Sequence, residues 1–170
     1  MKQEDSITDV HIKEYFKRCF FAVDGLWFML LEKESNFQKA LEIDRRVWQA
    51  LPKIQARKIR QLINLKNSDM EDLLQALEFK FQAEEYRYEV RLITNKKLEI
   101  ALLNCPWLII MQESGREHLA SEIGKTICRT EYQVWAKEFD ATFQNNLDDS
   151  LCSNGQFCYL RFAVQDQDSK

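Results

Sequence analysis

A chain of 170 residues, 45% apolar and 30% charged, is long enough for one domain with a real core and has an ordinary soluble composition. Its formal charge of −3 offers no basic field to a nucleic-acid backbone, and its longest apolar run, Cys19 to Leu31, is broken by Asp24 and too short to cross a bilayer. Neither nucleic acid nor a membrane is therefore expected as a partner. The polar, acidic start MKQEDSITDV reads as no secretory signal, which predicts a cytoplasmic location. In that reducing setting five cysteines point to metal or thiol chemistry more than to disulfides.

Residues 8–33 read as a long helix, with Phe16, Phe20, Val23, Trp27 and Leu30 recurring at three- and four-residue spacing. Asp24 and Cys19 fall in that stripe. Asn36 is the expected cap of a second helix running to about Leu51, whose apolar face is interrupted by Asp44. Pro52 suits the first turn of a third helix, where a missing N–H costs nothing. Ser68 and Glu71 match a capping box for a fourth, carrying Met70, Leu73, Leu74, Leu77 and Phe81.

The period changes after Glu85. Tyr86, Tyr88, Val90 and Leu92 alternate with charged residues, as do Leu98, Ile100 and Leu102, which predicts two strands. A three-residue loop over Asn95 to Lys97 would set Leu92 against Ile100 and Val90 against Leu102. Pro106 opens a short helix with Cys105 at its start. Ser114-Gly115 ends it, and capping-box matches at Ser114 and Thr130 predict a second helical piece and then a break near Cys128. Residues 141–151 and 157–164 read as a second hairpin around Asn154-Gly155. Together these elements predict an α+β fold in a single domain: a helical half, 1–85, packed on an antiparallel sheet of two hairpins with crossing helices between them.

Four cysteines carry the chemistry that the sequence offers. Cys105 precedes a proline at a helix start, where the helix dipole favours the thiolate, the form that attacks electrophiles and binds metals. Cys128, Cys152 and Cys158 complete a candidate metal set for zinc or another thiolate-bound ion, although the spacing is not that of a zinc finger or ribbon. The opposing reading makes all of them small buried core thiols. A two-residue turn at Asn154-Gly155 would turn Cys152 and Cys158 to opposite faces; a three-residue loop would set them side by side. Cys105, Asp24 and His118 are the candidate catalytic residues, with His118 a base near Cys105 or a solvated side chain, and Asp24 with Asp44 either an acid–base pair or ion-paired carboxylates. Gly124-Lys125-Thr126 ends like a phosphate-binding loop, but Leu119 stands where that motif needs glycine, so nucleotide binding is rejected.

The blocks FFAVDGLWFMLLE, KALEIDRRVWQALPKIQARKI and NCPWLIIMQESGREHLASEIGKTIC resemble a family of uncharacterised bacterial and archaeal cytosolic proteins. From Cys105 to Phe162 the chain is also similar to the L-2-amino-thiazoline-4-carboxylic acid hydrolase-like family and, more distantly, to the small-molecule-binding domain associated with 4-vinyl reductases. Those relatives put cysteines where this chain has Cys105, Cys128 and Cys158, and a glycine-acid turn before the last. Here the turn is Ser153-Asn154-Gly155-Gln156, without the acid. The expected function is binding of a small molecule or metal at a cysteine-containing pocket, with hydrolysis as its enzymatic version. The competing expectation is a non-enzymatic interaction module in which aromatic helices form a homodimer around structural cysteines.

Overall fold

The computed structural model describes residues 6–144 and 149–164. It is an α+β protein, and its chain forms two compact units, Met1–Ala40 and Leu41–Lys170. The first is built on α1 (Asp9–Glu34), which buries Phe21 and Phe28. Thr8 caps it: its hydroxyl accepts from the His11 N–H, and its own N–H donates to His11 Nδ1, both at 3.4 Å.

Asn36 caps the next helix as the sequence predicts, its side-chain oxygen taking the Lys39 N–H at 2.9 Å. That helix, α2 (Phe37–Leu62), does not end at Leu51. It runs on through Pro52, which is a buried interior residue and not the start of a separate helix. The reason lies in the buried stripe. Asp44, Trp48, Pro52, Ala56 and Ile59 follow one another at three- and four-residue spacing, so continuing the helix keeps one face in the core. The lost proline hydrogen bond is outweighed by that packing.

In the second unit α3 (Met70–Glu84) starts one residue later than the capping-box match implies. Asp69 is the cap, accepting from the Asp72 N–H at 2.9 Å, while the Ser68 hydroxyl accepts instead from Arg60 at 2.7 Å. Glu85 closes the helix in the left-handed region, φ 63°, and the Tyr86 N–H donates back to the Phe81 carbonyl at 2.9 Å. This sharp stop is where the apolar period changes in the sequence.

The strands β1 (Tyr88–Ile93), β2 (Lys97–Leu102), β3 (Ala141–Phe143) and β4 (Cys158–Val164) form one antiparallel sheet in the order β1-β2-β4-β3. The first hairpin turns at Thr94 to Lys96, and Val90 pairs with Ile100 and Tyr88 with Leu102, not Leu92 with Ile100. A bulge between Val90 and Leu92 takes up the difference. The second expected hairpin is corrected more deeply. Among the described residues of the expected strand, Ala141–Phe143 pair with β4, Phe143 against Phe162, and the stretch before β4 holds a 3-10 turn, Leu151–Ser153. Neither expected turn register at Asn154-Gly155 applies, and residues 145–148 of the expected strand lie outside the described residues.

Between the hairpins run α4 (Pro106–Glu113), a 3-10 turn (Glu117–Leu119) and α5 (Ala120–Glu138). No break interrupts α5 at Thr130. Its hydroxyl donates to the Thr126 carbonyl four residues back, at 2.8 Å, so it is satisfied inside the helix and caps nothing. One face of the sheet (Leu98, Ile100, Leu102, Leu160, Phe162) packs with Leu73, Leu77 and Phe81 of α3 and Tyr132, Trp135 and Ala136 of α5 in a single core.

Set within that core is Lys80 of α3. Its ammonium pairs with Glu84 at 2.8 Å on the same helix and with Glu131 of α5 at 3.0 Å, all three side chains almost wholly buried. It also lies over the Tyr86 ring, 5.1 Å from the centroid. Burial alone would lower the Lys80 pKa; the two carboxylates outweigh it and raise it. Lys80→Ala strands two buried carboxylates, so equilibrium denaturation is expected to show a loss of about 3–5 kcal/mol. Replacing all three with Lys80→Met, Glu84→Leu and Glu131→Leu is expected to return most of that loss, and an unchanged Lys80→Ala midpoint would contradict the assignment.

Candidate functional site

The ends of the core strands decide where the sulfurs meet. The β2–β4 pairing is antiparallel and sets Cys158, the first residue of β4, opposite Leu102, the last of β2. Cys105 follows Leu102 by three residues and is the N-cap of α4, with Pro106 in the first turn. Asn104 fixes this exit: its side-chain oxygen accepts from the Arg87 N–H at 2.5 Å, and its amide donates to the Glu85 carbonyl at 3.3 Å. Trp107 packs edge-on against Trp48 of α2, 5.7 Å between centroids, which anchors the start of α4.

Cys128 comes to the same place from the middle of α5, not from a helix start. Cys152 comes from the 3-10 turn. That turn is held in three ways: the Ser150 carbonyl accepts from Ser153 and Gly155 N–H groups at 2.8 and 2.7 Å, the Ser153 hydroxyl meets that of Ser121 on α5 at 3.0 Å, and the Leu151 N–H donates to Cys158 Sγ at 3.3 Å. Asn154 leaves the turn at φ 64°. Gly155 is required by close approach, since a Cβ there would stand 2.5 Å from Asp149 Oδ1 and 2.9 Å from the Ser150 backbone.

Cys105, Cys128, Cys152 and Cys158 thus line one cavity, walled also by Tyr86, Tyr132, Gly124 and Ser150 and closed by Leu102 and Leu160. The volume open to the centre of a water-sized sphere is about 20 Å³. All ten wall residues belong to the second unit. Gly124 matters because Cys152 lies directly over it: a Cβ at 124 would be 3.3 Å from both Cβ and Sγ of Cys152. The glycine that imitates a phosphate loop in the sequence is a clearance for a thiol.

The four thiols are not equivalent. The Cys152 thiol donates to Cys105 and, against the opposing effect of burial, lowers the Cys105 pKa; the backbone N–H groups of Leu108 and Trp107 and the Tyr86 hydroxyl act in the same direction. The helix start contributes this field without a formed side-chain capping bond. Cys152, as the donor, is pushed far up, with burial adding to the effect. Burial also raises Cys128, and the charges of Cys105 and Glu131 raise it further. Burial takes Cys158 up to about 11, opposed by the Leu151 N–H. The tyrosines Tyr86 and Tyr132 are held protonated by burial first and by surrounding negative charge second.

The other expected site residues stand elsewhere. His118 is exposed on the 3-10 turn ahead of α5 and does not line the cavity that holds Cys105. Asp24 is half-buried on α1 in the first unit, whereas Asp44 is buried on α2 in the second. Among the described residues, no three histidine, cysteine or acidic side chains are arranged, as they stand, to hold a metal ion. No helix among the described residues is long and apolar enough to cross a membrane. Sequence reasoning missed Tyr86, Tyr132, Gly124 and Ser150. The tyrosines look like core members of a strand and a helix, and only the tertiary fold reveals that both line the thiol cavity, with the Tyr86 hydroxyl directed at Cys105.

Fold and cavity define a helix-rich α+β protein with a buried pocket of four reduced cysteines. The chain belongs to a protein family of unknown function (DUF6125), whose model matches residues 2–162. No curated protein and no solved structure matches it.

The order of the thiols predicts their labelling. A group with a lowered pKa is charged at lower pH than usual, so Cys105 should be alkylated first by iodoacetamide, at a rate that levels off below the ordinary thiol value of about 8.5. Cys128, Cys152 and Cys158 should follow only at higher pH or on unfolding. Mass mapping of partly labelled protein checks this, and equal labelling of all four would contradict it.

Proposed function

We propose that the protein binds one soft divalent metal ion, zinc or a similar thiophilic cation, through the thiolates of Cys105, Cys128, Cys152 and Cys158. The observation that carries this reading is the convergence of four sulfurs, from a helix start, a mid-helix position, a 3-10 turn and a strand start, on one small cavity. Pockets for organic ligands run to about 300–1,000 Å³. A space of about 20 Å³ fits a single ion or water and argues against an organic ligand, the alternative kept open by the sequence. The surroundings favour a cation. Burial first, and after it negative charge from Cys105, Glu84 and Glu131, keeps the neighbouring phenols and thiols protonated, and a divalent ion would displace the thiol protons and offset that charge.

Binding requires the sulfurs to turn inward to thiolate–metal distances of about 2.3 Å. A cysteine does this by rotation about one bond, and Cys152 sits on a turn outside the regular elements. An ion held by four sulfurs has no open position for substrate water, and neither Asp24 nor His118 lines the cavity. The reading is therefore a metal with a structural or sensing role. Reduced thiols in this role fit the cytoplasmic location expected from the composition.

Protein purified without oxygen or chelator should carry close to one equivalent of metal, and cobalt(II) added to metal-free protein should give thiolate-to-metal charge-transfer absorption with proton release. Cys105→Ser and Cys128→Ser should each weaken binding by at least tenfold. Metal-free protein that gives no such absorption and no heat of binding would overturn the proposal.

Gly124→Ala is a subtler probe, because it removes no ligand and only crowds Cys152. Its Cβ pushes Cys152 by a few tenths of an ångström, so metal affinity should fall about tenfold or more while thermal stability without metal changes little. Unchanged affinity would remove Cys152 from the ligand set.

A further inference from the structure

The apolar stripe of α1 lies outside the pocket and does not depend on the metal reading. Successive residues of a helix turn by about 100°. On that geometry Ile12, Tyr15, Phe16, Cys19, Val23, Leu26, Trp27 and Leu30 occupy about a third of the circumference of α1, and no charged residue falls in this arc between Ile12 and Leu30. An arc of that composition belongs in a core. Here Phe21 and Phe28 are buried on the opposite face, while Ile12, Tyr15, Phe16, Val23, Leu26, Trp27 and Leu30 stand 46–67% exposed.

We propose that this stripe is the interface of a homodimer in which α1 packs antiparallel against α1 of a second copy about a two-fold axis at Val23. The first support is area. Aromatic side chains carry roughly 150–250 Å² each, so Tyr15, Phe16 and Trp27 alone offer about 350 Å². The exposed aliphatic residues bring the stripe to about 600 Å², at the upper end of the largest patch a monomer usually leaves in water. Two such stripes bury about 1,200 Å², which reaches the size of a specific interface.

The second support is self-complementarity. Within the stripe Phe16, Cys19, Val23, Leu26 and Leu30 follow at spacings of three, four, three and four, the rhythm that lets helices interlock. Phe16 and Leu30 each lie seven residues from Val23. A two-fold axis there sets Val23 against itself and Phe16 of one copy against Leu30 of the other, the isologous contact that closes a dimer. The antiparallel direction spreads the bulk, whereas a parallel pair would set Trp27 on Trp27, and it opposes the two helix dipoles.

Light scattering at micromolar concentration is expected to give twice the chain mass of 20.3 kDa. Val23→Asp should raise the dimer dissociation constant at least a hundredfold while leaving helical circular dichroism and thiol reactivity of the pocket intact. In a Cys19→Ser background, Val23→Cys should form a disulfide-linked dimer under mild oxidation, and Leu30→Cys should not. A monomeric wild-type protein overturns the proposal, as does a dimer that survives Val23→Asp. Equal cross-linking through Val23→Cys and Leu30→Cys would indicate a parallel pair and overturns the arrangement.

Discussion

Lys80 holds an ammonium group with almost no access to water, and its two carboxylate partners come from different places: Glu84 one turn further along α3, and Glu131 from α5. Isolated, any of the three charges would be too costly to bury. Together they fix α3 to α5 at a defined height, because sliding either helix by one turn would separate charges that cannot reach water. Leucine and phenylalanine contacts tolerate such slippage far better. The height matters, since Cys128 lies three residues before Glu131 on α5 and Tyr86 lies two residues beyond Glu84, so the cluster sets the depth at which two walls of the thiol cavity meet.

The same cluster sets the electrical character of the cavity. One ammonium faces two carboxylates, and burial raises the Glu131 pKa even though Lys80 opposes the shift. Around it Tyr86, Tyr132 and Cys128 are all pushed toward their protonated forms. Cys105 departs from this pattern because its environment contains directed donors: a thiol, a phenol and the opening N–H groups of α4. The cavity combines an interior that resists negative charge with one sulfur arranged to carry it.

Much of the architecture was legible in the sequence, and the failures share a cause. Period and alternation located α1, α3 and the first two strands because burial on one face leaves a direct mark on residue order. Capping-box patterns misled at Ser68, Ser114 and Thr130. Hydroxyl groups have several ways to be satisfied, and at Thr130 a bond to the preceding turn is enough. Pro52 misled because a local preference lost to the packing of a whole helix face. The cysteines were recognisable as candidates, but their convergence depended on which strands are neighbours, a long-range fact. His118 drew notice only as a rare residue type, and rarity does not place a side chain. Asn154-Gly155 suggested a tight hairpin, whereas the left-handed residue closes a 3-10 turn and the glycine makes room for Asp149 and Ser150.

The strand order has a consequence for how the chain can be made. β4 is last of the four strands in sequence but lies inside the sheet, between β2 and β3. As the polypeptide leaves the ribosome, the β1–β2 hairpin can form early, but one long edge of β2 has no neighbour until β4 has been synthesised and slots in. Until then Leu98 and Ile100 lack the strand that flanks them, and two of the four sulfurs are missing. Completion of the sheet and completion of the thiol cluster are therefore the same late event in the life of a nascent chain, one that a shortened transcript or a stalled ribosome would forfeit together.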